Sequence, residues 1–202
     1  MAFLAIACLG RVPVFGDTVT LSPEEQVIAN HLVSDPNQHR PFLHLDPILT
    51  KVARQRAADM AARGYFDHVD PQGYGPNWKV AHAGYALPAG WTNPVSLNYI
   101  ESIAAGESTA GATWNDWMNS TPHKDHLLAL ESAFAQETSY GVGYANVPGS
   151  KYTYYWVVIT CPPAPNPPQI AITSPAANAQ ITVPQAAVSG TTGGNVAVQS
   201  VA

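Results

Sequence analysis

From Tyr140 to Thr160 the chain reads as two runs rich in Tyr, Trp and Val, Tyr140–Val147 and Tyr152–Thr160, joined by a Pro-Gly-Ser turn. Such runs flanking such a turn predict an antiparallel hairpin. A lone hairpin is barely stable in water, so the elements before it must cover its apolar face. Those elements read as helices. Ser22-Pro23-Glu24-Glu25 is a capping box with proline at the first helical position, and it opens a helix to about Val33. Asp46-Pro47 opens a longer helix in which Leu49, Val52, Ala53, Arg56, Ala57 and Met60 keep the helical rhythm until Gly64 stops it. A short helix is expected around Lys79 to Ala83. Thr109 caps a third main helix whose Trp114 and Trp117 read as buried anchors, and Pro122 restarts the chain as a short helix carrying His123 and His126. Helices first and an antiparallel pair afterwards imply an α+β fold.

The flanks differ from this middle. Residues 1–16, "MAFLAIACLGRVPVFG", carry a short apolar run and a small-residue exit, which reads as a curtailed signal peptide and predicts export. No stretch approaches the ~18 apolar residues of a membrane span. With the leader removed only Cys161 remains, so the fold would owe nothing to disulfides. "CPPAPNPPQ", 161–169, reads as a Pro-rich linker. Short alternating runs follow at Ile170–Ile172, Ile181–Val183 and Val196–Val198, as in the opening strands of an Ig-like β-sandwich. Such a domain needs about seven strands in roughly 100 residues, so 170–202 is expected to be an incomplete one. The net charge of -5, with nine scattered Lys and Arg, leaves no basic stripe for a phosphate backbone and excludes nucleic acid as a partner.

Three residues stand out chemically. His68 lies in "FDHVDPQG" after the long helix, Glu101 sits within the apolar "NYIESIAAG", and His123 opens its helix. Taken singly, each has a plain reading: a surface loop histidine, an acid at an edge or bonded to backbone, and a histidine packing near a helix start. "GESTAG", 106–111, nearly matches a nucleophile elbow, but a loop entering a helix cap accounts better for Ser108-Thr109. "GYALPAGWTNPVSLNY", 84–99, is a candidate lid with Trp91 and Tyr99 as its exposed aromatics.

"LDPILTKVARQRAADMAARGYFDHVDPQG", "IESIAAGESTAGATWNDWMNSTPHKDHLL" and "YGVGYANVPGSKYTYYWVV" together resemble a bacterial CAP domain, of the cysteine-rich secretory protein, antigen 5 and pathogenesis-related superfamily, also called SCP. The resemblance covers about residues 25 to 160 and is most specific from Trp117 to His123. It implies a CAP-type α-β-α sandwich over 17–160, with a shallow cleft that holds a divalent ion in many members. Carried over by position, the cleft residues are His68, Glu101 and His123. On that resemblance two neutral imidazoles and one carboxylate make a first shell for zinc with one position left to water, losing metal below about pH 6. Otherwise the three form a hydrogen-bonded network tying helices to sheet. Ser120 stands where other members have a second acid, and Ile100 and Ser102 replace the usual neighbours of Glu101. Ser120 and His126 are expected to line the cleft, His126 as a spare ligand at its rim, a surface residue or a helix cap. On this resemblance the chain is an extracellular or cell-surface binding module for a lipid, glycan or protein, with zinc or another divalent cation weakly held. The alternatives are a metal-assisted hydrolase with Glu101 as general base, and a purely structural surface or adhesin module.

Overall fold

The structure, a computed structural model, describes residues 19–164 together with two short strands farther along. The leader and the runs at 181–183 and 196–198 lie outside the described residues. Helix α1 (Pro23–Ser34) starts at the expected capping box: the Ser22 hydroxyl accepts from the Glu25 N–H, and the Glu25 carboxylate accepts from the Ser22 N–H. Helix α2 (Pro47–Arg63) is capped by Asp46, whose carboxylate accepts from the N–H groups of Ile48 and Leu49. It ends at Gly64, left-handed at φ 69°, where a residue without Cβ carries no strain. Between α1 and α2 lies a two-residue strand, β1 (His44–Leu45), too short for any pattern to mark it. Helices α3 (Pro76–His82), α4 (Ala110–Met118, capped by Thr109) and α5 (Thr121–Leu128) follow the expected order.

The hairpin is β3 (Ser139–Asn146) and β4 (Tyr154–Cys161). Cys161 is therefore the buried end of β4 rather than the first residue of a linker. A further strand, β2 (Glu101–Ala105), pairs antiparallel with β4, and β1 runs parallel to β3, giving the order β1-β3-β4-β2.

Alternation along β4 explains the layers. Tyr155, Val157, Ile159 and Cys161 face α2 and join Leu49, Val52, Ala57 and Met60 in one core. Trp156 and Val158 face the other way and meet Ile28, Leu32, Trp114, Trp117, Leu127 and Leu128 from α1, α4 and α5 in a second. A sheet apolar on both faces needs helices on both, which is the α-β-α arrangement. Tyr85 and Trp91 of the 84–99 segment pack on the α2-side core, while Tyr99 is exposed. No helix among the described residues is long and apolar enough to cross a membrane. Beyond the sheet, β5 (Gln169–Ser174) and β6 (Ser189–Gly193) form one antiparallel ladder.

Candidate functional site

Glu101 is the first residue of β2, on the face that looks toward α2. Asn98 holds that strand start: its side-chain oxygen accepts from the Ile100 and Glu101 N–H groups and its amide donates back to the Glu101 carbonyl. The Glu101 carboxylate meets a partner that the helical rhythm hid. Arg56, fully inside α2, donates from Nε to Oε2 at 2.8 Å and from Nη2 to Oε1 at 3.1 Å. The same guanidinium donates to the Tyr65 hydroxyl at 2.6 Å and to the carbonyls of Asp67 and His68 at 2.8 and 3.0 Å. One cation thus ties the loop carrying His68 to the strand carrying Glu101. Burial alone would raise the Glu101 pKa, but the facing Arg56 charge and the hydrogen bonds from His68 and Arg56 outweigh it and hold it below its ordinary value.

An ionised carboxylate only accepts, so the His68 Nδ1, 3.0 Å from Glu101 Oε1, carries the proton of that contact. His123, half-buried in the first turn of α5, has its Nδ1 2.8 Å from the Ser120 hydroxyl. Ser120 occupies the N-cap position of α5 yet makes no capping bond, its hydroxyl being turned to the ring instead. Neither imidazole has a protein partner at Nε2 among the described residues. Burial lowers the His123 pKa, and the charges of His68 and His126 lower it further. Of the expected set, two separate contacts are present: His68 with Glu101, and His123 with Ser120.

His126 is neither surface nor rim. It is buried, with Nδ1 2.7 Å from the Ser102 hydroxyl and Nε2 2.7 Å from the Thr160 hydroxyl. Thr160 donates to Glu137 at 2.5 Å, and Arg40 closes the network on Glu137 at 3.6 Å and on the His126 carbonyl at 2.9 Å. Both ring nitrogens are engaged inside the fold, so His126 serves to join α5 to β2 and β4. The reason lies in register: Ser102 and Thr160 point to the α5 side of the sheet, where three residues after His123 a polar ring finds two hydroxyls.

The loop after His68 is fixed by Asp70, whose buried carboxylate accepts from the Gln72 and Tyr74 N–H groups at 2.9 Å and from Lys79 at 2.5 Å. Burial would raise its pKa, but Lys79 and the two amides pull it down to about 2. A carboxylate depressed in this way stabilises the fold fully above its unfolded value of 3.8, and that stabilisation disappears as pH falls toward about 2. Asp70→Asn is expected to lose about 1–2 kcal/mol near neutral pH, with the gap to the parent closing in acid, as read from urea unfolding at several pH values.

These elements, in this order, are those of a known family: the profile of the Cysteine-rich secretory protein family, CAP, matches residues 36–160. The chain belongs to the CAP family. A CAP relative, the uncharacterized protein YkwD of Bacillus subtilis strain 168, is 30% identical over 118 residues, covering 57% of this chain and 39% of that protein. The chain thus spans well under half of that relative. Two solved structures share the CAP fold. An outer surface protein of Borrelia burgdorferi superposes with a TM-score of 0.54 at 17% identity, over 71% of this chain and 95% of that one. An extracellular SCP-domain protein of Bacillus anthracis strain Ames gives 0.50 at 24% identity, over 71% and 45%. At those identities the likeness is one of fold.

No group of three or more His, Cys, Asp or Glu side chains among the described residues is arranged to hold a metal ion. The Glu101 oxygens are taken up by Arg56 and His68.

Proposed function

We propose that this chain is an exported CAP module that binds an extracellular ligand, lipid, glycan or protein, at a cleft where His68 and His123 present their Nε2 atoms. Residues 1–16 serve as its leader and the domain runs from 17 to the end of β4. The Pro-rich run from Pro162 leads to a second unit of Ig-like type, in which β5 and β6 are neighbouring strands. The observation that carries the cleft reading is the pair of tied Nδ1 atoms, one on Glu101 and one on Ser120. An imidazole held at one nitrogen offers the other in a fixed direction, the usual preparation of a metal-binding histidine. Zinc or a similar cation would be held by these two rings with water or ligand completing its shell, and it would supply Lewis acidity to an oxygen of whatever binds there. Two protein ligands make such binding weak. Glu101 is poorly suited to be a general base, since it is buried, ionised and already accepting from Arg56 and His68. That disfavours the hydrolase.

Calorimetric zinc titration of the chain near neutral pH tests the reading. One weak site is expected, with affinity falling at least about tenfold in His68→Ala and in His123→Ala, and about 10–100-fold in Glu101→Gln through lost orientation. Absence of any zinc heat would remove the metal. Zinc-dependent turnover of peptide or ester substrates would replace the module by an enzyme.

A further inference from the structure

One concavity, which neither His68 nor His123 lines, has no role in that reading. A groove of about 640 Å³ lies between α2 and α3, within the range of ligand-sized pockets, roughly 300–1,000 Å³. Four of the nine Lys and Arg residues, Lys51, Arg56, Arg63 and Lys79, line it in a chain whose net charge is -5. Most of these cations hold carboxylates in place. Arg63 lies 2.5 Å from Asp59 and 3.4 Å from Asp70, Lys79 lies 2.5 Å from Asp70, and Arg56 is spent on Glu101. Paired donors and acceptors therefore stand side by side on the wall before any ligand arrives, the arrangement that lowers the ordering cost of binding. Lys51, exposed on α2, pairs with no carboxylate among the described residues.

Part of the remaining wall, Trp78 and His82, is aromatic. Tyr74, Trp78 and His82 stack in a column, with ring centroids 3.9 and 3.4 Å apart and planes tilted by 21° and 20°. His82 ends that column in solvent, and Trp78 and His82 both line the groove. A lipid tail would meet charged walls here, which would have to give up hydration for nothing. A flat ligand edged with hydroxyls, each able to donate and accept, fits the wall of paired donors and acceptors, while its C–H face fits the aromatic part. The unpaired ammonium asks for an anionic group on the same ligand.

We propose that this groove binds a short segment of an acidic polysaccharide, with a sugar ring against the His82 end of the aromatic column and a carboxylate at Lys51. Calorimetry on the full chain at low salt, with tetragalacturonate as the acidic probe and chitotetraose as the neutral one, tests it. Saturable binding of the acidic probe is expected, about fivefold or more tighter than the neutral one and weakening as salt is raised. Lys51→Glu and His82→Ala, both at exposed positions, should each weaken it about fivefold or more while leaving the thermal transition in place. His68→Ala should leave it unchanged, since the groove uses neither cleft imidazole. No saturation, equal affinity for the neutral probe, indifference to Lys51→Glu and His82→Ala, or loss in His68→Ala would each overturn the proposal.

Discussion

Arg56→Met is expected to destabilise the protein by about 3–5 kcal/mol, the range for removing one partner of a buried ion pair. Against a total stability of roughly 5–15 kcal/mol for a domain of this kind, the variant would be marginal at physiological temperature. The loss has several sources. Glu101, buried and ionised, would face no cation, and the Tyr65 hydroxyl and the carbonyls of Asp67 and His68 would lose their donor. Arg56→Lys should recover only part of this, because an ammonium cannot reach both carboxylate oxygens, the hydroxyl and two carbonyls from one point. The double variant Arg56→Met, Glu101→Met separates the two jobs of the pair. Replacing both charges by apolar groups of similar length should restore the part of the stability lost to the unpaired Glu101 charge, though not the part lost at Tyr65 and the two carbonyls. His68 remains without its Nδ1 acceptor, and zinc affinity stays low. The pair also predicts an acid limb: the depressed Glu101 contributes its stability above the ordinary 4.5 and loses it as pH falls through the folded value. Urea denaturation of the four proteins decides the matter, and an Arg56→Met cost below about 1 kcal/mol would mean that the loop is held by something else.

What the sequence disclosed and what it concealed divide along sequence separation. The capping box at Ser22, the Asp46 cap, the Gly64 stop, the Thr109 cap and the β3–β4 hairpin were all legible, because each is decided by residues within a few positions. Strand β2 was not: "ESIAA" has weak strand propensity and is a strand because β4, more than fifty positions later, offers it an edge. Arg56 passed as one more member of a helical stripe. A stripe of core positions that includes an arginine demands a buried anion, and Glu101 in its apolar run demands a cation. Read together, the two anomalies answer each other, a signal available in the sequence. His126 gave no such signal, because its burial depends on Ser102 and Thr160 lying side by side in the folded sheet. The cleft pair rested on the family resemblance; the spacing of the two histidines from Glu101 carries no information of its own.

Gly143→Ala should be nearly as damaging as the loss of Arg56, although it adds a single methyl group. Residues two apart on a strand share a face, so Gly141 and Gly143 of β3 both look toward α2 while Tyr140, Val142 and Tyr144 look the other way. A Cβ at Gly143 would lie 2.2 Å from the Ala53 carbonyl carbon and 2.3 Å from the Arg54 nitrogen; at Gly141 it would lie 2.2 Å from the Leu49 carbonyl carbon and the Thr50 nitrogen. These neighbours are helix backbone, which cannot swing aside like a side chain, and carbon atoms rest comfortably only at about 3.5–4.0 Å. Helix α2 would have to rise off the sheet by more than about 1 Å, opening gaps around Val52, Ala57 and Met60. A loss of about 3 kcal/mol or more is expected, at the upper end for overpacking because the strain falls on main chain. The displacement would also reach Glu101 and His68, since Arg56 sits one turn from Ala53 and its bonds to Glu101 are 2.8 and 3.1 Å long. Zinc affinity should fall with stability. Gly111→Ala supplies the control: its Cβ would meet nothing within 4 Å in helix α4, so it should be neutral or stabilising by up to about 1 kcal/mol. Thermal and urea unfolding of both variants test the seating of α2 on β3, and a Gly143→Ala protein as stable as the Gly111→Ala control would refute it.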